Sequence, residues 1–326
     1  MTFKLLGRIL LSFSLMLSYG WTNLAVAAKT TANSADITYL LTASSKGDLA
    51  TVKAMLASGA SANIKDADGI TALMYAARKD NAAVAAALIE AGAELNAKDK
   101  GGWTALMFAA KKNHVATAKV LLDKGADAKV RDTGGWSALG LAASSGYSQT
   151  VDLIIKHGID ANTKGDDGRT VLMFAAKNGD VPTVASLIDN GAKLDIRDKL
   201  GTTAMMIAAR EGHVDVVDYL LQKGADVDEQ DDSKWTALTW AVKKSELAVA
   251  KALLTKGANV NHQDSQGNGL LQLAVDTNST EMVALLLDHK ADVKARDQYG
   301  LTAYVYALKK QNAEIVSLIK NAGGKY

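Results

Sequence analysis

The chain repeats itself every 33 residues, and that interval limits what it can fold into more than any other feature of the sequence. Thr71-Ala72-Leu73-Met74 returns as Thr104-Ala105-Leu106-Met107. The same place is then held by Ser137, Thr170, Thr203, Thr236, Gly269 and Thr302, and one step back from Thr71 lies Thr38. A second marker keeps the step: Gly59-Ala60, Gly92-Ala93, Gly125-Ala126, Gly191-Ala192, Gly224-Ala225 and Gly257-Ala258, with Gly158-Ile159, Lys290-Ala291 and Gly323-Gly324 as variants. A third is Asp66, Asp99, Asp132, Asp198, Asp231, Asp264 and Asp297, each followed three residues later by Gly except where Lys234 follows Asp231. Three markers in phase define nine repeats, approximately 35–65, 66–98, 99–131, 132–164, 165–197, 198–230, 231–263, 264–296 and 297–326. Such a chain is an array of one small element rather than a globule with a single centre.

Each repeat reads as two short helices. In 99–131, Asp99 and Gly102 bracket a tight turn, because Asp bonds backbone N–H groups just ahead and Gly accepts a positive φ. Thr104 stands where an N-cap oxygen is needed, and Leu106, Ala109 and Ala110 follow at helical spacing. Asn113, whose place is taken by Gly146, Gly179 and Gly212 elsewhere, suits the left-handed residue that ends a helix. Val115 to Asp123 forms a second helix with Val120, Leu121 and Leu122 for burial, stopped by Gly125. Helices of two to three turns do not persist alone in water, so each repeat must lean on the next. The expected fold is an all-α repeat solenoid of helix–turn–helix units with β-turn or hairpin fingers.

The ends read as caps. The first repeat has no Asp-x-x-Gly finger, and the last helix, Ala313 to Asn321, carries Ser317, Lys320 and Asn321 outward. Repeat 264–296 departs most from the markers, at Gly269, Gln272, Val275 and Lys290. A non-Gly residue in a left-handed turn at Lys290 costs roughly 1 kcal/mol, so the array is expected to fray first in its C-terminal third.

The unit Asp-x-x-Gly-x-Thr-x-Leu-x-x-Ala-Ala, closed by Leu-Leu-x-x-Gly-Ala, resembles the ankyrin repeat from about residue 35 to 326. It departs from that motif at two places: Ala72, Ala105 and Ala237 stand where Pro is usual, and Met74, Met107, Met173 and Met206 where His is usual. The resemblance implies that the first helices line a concave groove.

The N-terminus reads as an address. Lys4 and Arg8, the apolar run Ile9 to Leu17, and Ala25-Val26-Ala27 form the three-part pattern of a secretory signal peptide, residues 1–27, followed by a short linker, 28–34. The apolar run is about half the ~20 residues of a membrane span, which sets the uncleaved anchor as the alternative. Cleavage removes Lys4 and Arg8 and takes the formal charge from +2 to zero. Cys is absent, which excludes disulfides, thiolate metal sites and cysteine nucleophiles. An exported chain without Cys points to a bacterial periplasm, or to secretion from the cell. No further membrane span is expected, no bulk charge advertises nucleic acid, and a monomer is expected.

Enzymatic signals are missing. His114, His157, His213, His262 and His289 form no close pair, and no nucleophile elbow, phosphate loop or dinucleotide fingerprint occurs. No catalytic, cofactor-binding or metal-binding residue is therefore expected. Two surface features remain. The residue between the finger Gly position and the Thr varies along the array as Ile70, Trp103, Trp136, Arg169, Thr202, Trp235, Asn268 and Leu301. Trp dominates interface hot spots. The competing reading is finger-to-finger packing, with neighbouring Trp103 and Trp136 stacked on each other and Trp235 lacking such a neighbour.

The second feature is the end of each first helix. Two positions per repeat hold Lys46, Arg78, Lys79, Lys111, Lys112, Lys177, Arg210, Lys243, Lys244, Lys309 and Lys310, against only Glu211 and Asp276. Cations there offset the helix macrodipole by ~0.3–1 kcal/mol each, which accounts for single lysines but not for the doublets at 111–112, 243–244 and 309–310. The expectation is a non-enzymatic scaffold that binds a partner protein, possessing acidic character, through Trp103, Trp136 and Trp235 together with Lys111, Lys112, Lys243 and Lys244. The alternative is an anionic envelope polymer held along the basic ridge.

Overall fold

The computed structural model describes residues 38–325, so the signal peptide and linker read from the sequence lie outside the described residues. Contacts group the chain into two bodies, one ending at Asp132 and one beginning at Thr133. The N-terminal body holds α1 (38–46), α2 (Leu49–Ala57), α3 (Ala72–Ala77), α4 (Ala82–Glu90), α5 (Ala105–Lys111) and α6 (Val115–Asp123). The C-terminal body holds α7 (Ala138–Ala143), α8 (Ser148–Lys156), α9 (Val171–Asn178), α10 (Val181–Asp189), α11 (Ala204–Arg210) and α12 (Val214–Gln222). It continues through α13 (Ala237–Lys244), α14 (Leu247–Thr255), α15 (Leu270–Asp276), α16 (Thr280–Asp288), α17 (Ala303–Lys310) and α18 (Ala313–Asn321). Within each body first helices pack on first helices and second on second, as in α3 on α5 and α4 on α6, or α11 on α13 and α12 on α14.

The first helices stack closely because their inner face is small. Ala76, Ala77, Ala109, Ala110, Ala142, Ala143, Ala175, Ala176, Ala208 and Ala209 are fully buried. Leu73, Leu106, Leu139, Leu172 and Leu238 fill the space between the two layers. Truncating one such Leu to Ala typically costs ~2–5 kcal/mol.

The departure from the His of the ankyrin motif has a local cause. Thr71, Thr104, Ser137, Thr170, Thr203 and Thr236 each accept the N–H three residues on. In return the Thr71, Thr170 and Thr203 N–H groups donate to the sulfurs of Met74, Met173 and Met206 at 3.4, 3.4 and 3.5 Å. The methionine both fills the core and closes a capping box, a weak version of the usual oxygen acceptor. Thr239 Oγ1 does the same for Thr236, and Gln272 Oε1 for Gly269 at 2.6 Å.

Neighbouring repeats are tied by side chains that reach the open end of the preceding first helix. Asn81 Nδ2 donates to the carbonyls of Ser44 and Ser45, at 2.9 and 3.0 Å. His114 Nδ1 lies 2.8 Å from the Ala77 carbonyl, and His213 Nε2 lies 2.9 Å from that of Lys177. Helix ends leave carbonyls without intrahelical partners, and these side chains supply the donors. Each imidazole nitrogen facing a carbonyl carries its hydrogen. On the opposite loops, Asn63, Asn96, Asn162, Asp228 and Asn261 each accept an N–H from the next repeat, all at 2.8–2.9 Å.

The fingers are smaller than hairpins. Four close with one isolated antiparallel bridge: Lys65 with Thr71, Lys164 with Thr170, Gln263 with Gly269, and Arg296 with Thr302. Successive fingers are joined by a backbone bond, such as Lys100 N–H to the Asp68 carbonyl at 3.0 Å and Asp232 N–H to that of Leu200 at 3.1 Å.

Repeat 264–296 is only partly the weak point that its markers indicate. Buried Gln272 caps Gly269 and donates to the carbonyls of Ala295 and Leu301, at 3.3 and 3.1 Å. Lys290, with φ of 67°, retains its left-handed strain. Lys290→Gly is expected to stabilise the fold by roughly 1 kcal/mol, read as a higher urea midpoint; an unchanged or lower midpoint would contradict the strain.

Gly179 carries a double constraint. Its φ is +79°, and an added Cβ would meet His213 Nδ1 at 2.5 Å. Gly191, at φ +89°, faces open space. Both Gly→Ala variants should lose about 1 kcal/mol from the backbone, and Gly179→Ala should lose more because His213 must leave the Lys177 carbonyl. Equal losses in chemical denaturation would show that the His213 contact contributes nothing.

Candidate functional site

The fingers are held by their aspartates. Asp99 Oδ1 accepts the N–H groups of Gly101 and Trp103, both at 2.8 Å, and Asp66, Asp198, Asp231, Asp264 and Asp297 repeat the pattern. The second oxygen ties the finger to the first helix. Tyr75 OH donates to Asp66 at 2.8 Å, Trp240 Nε1 to Asp231 at 3.1 Å, and Tyr306 OH to Asp297 at 2.5 Å. Where Gly165 replaces Asp, the residue at the Tyr75 place is Phe174, which has no donor to offer. Arg169 occupies that finger instead, 3.6 Å from both Asp167 and Asp198.

These bonds set the protonation of the groups. Burial pushes the Asp66 carboxyl up, but the N–H of Ile70, the hydroxyl of Tyr75 and the N–H of Asp68 together hold it below the ordinary carboxylate value. Asp297 is lowered in the same way: burial opposes, and Tyr306, Leu301 and Tyr299 prevail. The bond to Asp297 and then burial push the Tyr306 hydroxyl up to about 12.

The finger tryptophans do not stand at the tips. Trp103, Trp136 and Trp235 are half-buried. Trp103 lies against Phe108 at 5.0 Å between ring centroids, not against Trp136 as the packing alternative has it. Trp136 lies against Phe174 at 4.6 Å. Trp235 does have an aromatic neighbour, Trp240, at 4.6 Å and 64°. The tips are two residues after the finger aspartate, where Leu200 and Tyr299 are 67% and 75% exposed.

In each body, aromatic residues that the sequence reading missed lie on the first helices beside the fingers. Tyr75, Phe108, Phe174, Trp240 and Tyr306 are all half-buried and recur nine residues after the finger position. That phase was available as a signal, but Leu141, Ile207 and Leu273 share it and disguise the aromatics as core. Cations lie over the rings: Arg78 at 5.8 Å from Tyr75 and 5.4 Å from Phe108, Arg210 at 5.3 Å from Trp240, and Lys309 at 5.5 Å from Tyr306. Such contacts contribute ~0.5–1 kcal/mol at exposed sites and fix the cations beside the rings.

The basic ridge sits where the sequence places it. Lys111 and Lys112 are exposed at the end of α5, and Lys243 and Lys244 form the last turn of α13. In the C-terminal body the like charges are interleaved with acids. Asp276 accepts Lys243 Nζ at 3.1 Å and Lys310 Nζ at 3.0 Å, and Arg210 pairs with Glu211 at 3.0 Å. The doublets at 243–244 and 309–310 therefore do not require an external acid, since Asp276 takes one member of each. Among the described residues no group of three or more His, Cys, Asp or Glu is arranged to hold a metal. No described helix is long and apolar enough to cross a membrane.

The bonds from Lys310 and Lys243 outweigh burial and hold the Asp276 carboxyl below its ordinary value. Its contribution to stability is then complete above the unfolded carboxylate pKa of ~3.9 and is lost as pH falls through the lower folded value. At half exposure that contribution is under about 1 kcal/mol. Asp276→Asn should lower the thermal midpoint at pH 7, and the difference from the unsubstituted protein should shrink as pH falls below the unfolded carboxylate value; a difference undiminished in acid would contradict the pairing. Tyr306 has the opposite sign: stability present below ~10 is lost as pH rises through about 12. Ultraviolet titration should show Tyr75 and Tyr306 both ionising late, because each donates to a finger carboxylate, and Tyr306→Phe should remove one late step and keep the other.

A family model described as ankyrin repeats, in three copies, matches residues 40–132, 125–198, 172–264 and 257–325. No curated protein matches the sequence. Among solved structures, the crystal structure of the human ASB11 ankyrin repeat domain is similar in fold, with a TM-score of 0.62 at 23% identity, covering 68% of this chain and 98% of that one. The chain belongs to the ankyrin repeat family.

Proposed function

We propose that this chain is a non-enzymatic scaffold, exported to the bacterial periplasm as a monomer, that binds a partner protein across the face of its first helices. Ankyrin repeats bind protein partners. The observation that supports this face is the set of half-buried aromatics with cations laid over them, Arg78 on Tyr75 and Phe108 and Arg210 on Trp240. Half-buried rings fixed by their neighbours bury large area with little loss of rotamer freedom, which is what an interface anchor requires. Trp103, Trp136 and Trp235 act as supports of those rings more than as free contacts. Lys111, Lys112, Lys243 and Lys244 border them and steer an acidic partner. The polymer alternative is weakened by Asp276, which already neutralises much of the ridge in its neighbourhood.

Export carries its own test. Protein released from the periplasm by osmotic shock should have an intact mass that begins at Ala28; full-length mass in the cytosolic fraction would contradict it.

The binding reading is tested by capturing a partner from an envelope extract on residues 28–326 and washing at ~0.1 and ~0.5 M salt, over which exposed charge pairs are screened. A protein retained at the higher salt is expected. Trp240→Ala should then weaken that complex by ~2 kcal/mol, about thirtyfold in Kd, as should Trp235→Ala, which removes its support. Unchanged affinity in both variants would refute the assigned face. An anionic polymer lost at the higher salt, with no protein retained, would replace the scaffold reading by the polymer one.

A further inference from the structure

Repeat 264–296 departs from its neighbours at one more place, the turn between α15 and α16. It reads Asn278-Ser279-Thr280, an Asn-x-Ser/Thr triplet without Pro in the middle, and the triplet occurs once in the sequence. On an exported chain such a triplet is an acceptor for N-linked glycan, and it belongs on a surface turn. Thr280 is the unusual residue. Its place is held by Ala82, Val115, Val181, Val214, Leu247 and Ala313 elsewhere, and by Ser148 only where Gly146 replaces the Asn. Asn113, which does hold the Asn place, is followed by His114 and Val115. Thr280 is not needed to start its helix, because the cap is Ser279, whose hydroxyl accepts the Met282 N–H at 3.3 Å.

The turn leaves the reacting atoms open. Asn278 is exposed and holds the left-handed conformation, with φ of 57°. Its Oδ1 accepts Asn312 Nδ2 at 2.9 Å. Among the described residues, Asn278 Nδ2 and the Thr280 hydroxyl have no hydrogen-bond partner. An N-linked glycan replaces one hydrogen of Nδ2 and leaves Oδ1 a carbonyl acceptor. Glycosylated Asn278 therefore keeps its bond to Asn312. Other asparagines beside turns lack this freedom, because their amide nitrogen holds the fold. Asn81 Nδ2 donates to Ser44 and Ser45, Asn190 Nδ2 to Asp152 and Ser186, and Asn268 Nδ2 to Asp264.

We infer that Asn278 of the exported chain is an N-glycosylation site, with an oligosaccharide linked through pyrophosphate to a polyprenyl lipid as the donor and a membrane transferase as the catalyst. Asn278 Nδ2 attacks the anomeric carbon of the first sugar. The N–C bond forms as the C–O bond to the pyrophosphate breaks, the lipid pyrophosphate leaves with the electron pair, and the displaced amide proton passes to a base of the transferase. The Thr280 hydroxyl is the group read beside the amide. The site rests on the export reading above and assigns the exported chain a modification. A glycan is bulky and polar. Two residues beyond Asp276, it stands beside the ion pairs that Asp276 makes with Lys243 and Lys310, where the ridge is already neutralised.

The test uses the protein released from its own cells by osmotic shock and digested with trypsin. Residues 257–290 come away as one peptide, because Lys256 and Lys290 flank a stretch with no Lys or Arg inside it. That peptide should carry the added mass of an oligosaccharide, placed on Asn278 by electron-transfer fragmentation. Asn278→Gln should lose the added mass. Thr280→Ala should lower occupancy by about tenfold or more, and Thr280→Ser, which keeps the hydroxyl, should stay within about twofold. Circular dichroism of the three variants shows that each is folded, and the Thr280→Ser rescue separates a lost hydroxyl from a disturbed turn. A mature chain beginning at Ala28 whose 257–290 peptide is unmodified would overturn this inference and leave the export reading standing. Added mass on another residue, or undiminished occupancy in Thr280→Ala, would overturn it as well. Full-length chain found only in the cytosol would remove both readings.

Discussion

A helix of six to nine residues has almost no stability of its own in water, and every helix from α2 onward is of that length. The structure depends on the contact between one repeat and the next. Alanine pairs such as Ala109 and Ala110 let first helices approach, and Asn81, His114 and His213 then satisfy the carbonyls that short helices leave open. Apolar stacking supplies the energy, and these polar ties supply the register. Without the register, stacked helices of similar sequence have no reason to prefer one repeat of offset over another.

The same register builds the face proposed to bind. Because Asp66, Asp231 and Asp297 each bond both their own turn and the first helix, as Asp231 does with Ser233, Trp235 and Trp240, those fingers and helices are held as one piece. The aromatic rings there are positioned by the bonds that hold the fold, so no separate device is needed to present them. Variation at one phase of the repeat, from Tyr75 to Phe108 to Trp240, changes the surface without disturbing the stack.

Much of the fold was legible in the sequence because it depends on local chemistry repeated in phase. Thr104 as a cap, Asn113 in the left-handed region and Lys290 under the same strain follow from residue type and position alone. The site was less legible. Trp103 and Trp235 looked like free tips because their partners, Phe108 and Trp240, lie five residues on, in a phase shared with buried Leu273 and Ile207. The lysine doublets looked unopposed because Asp276 lies a full repeat from Lys243 and Lys310. The ring contacts lie within a repeat and depend on the angle between finger and helix, and the Asp276 pairs cross repeats, so neither is read from local spacing. The role of Gln272, which restores the cap and two carbonyl bonds of an aberrant repeat, is likewise visible only in three dimensions.

Hydrogen exchange of the partner-bound chain is the most direct test of the claim that the first-helix face is the one that binds. Protection gained on binding should fall in α3, α5, α11 and α13 and in the fingers that precede them, with α4, α6, α12 and α14 unchanged. Protection confined to the second helices, or to the loops around Asn63 and Asn162, would contradict it.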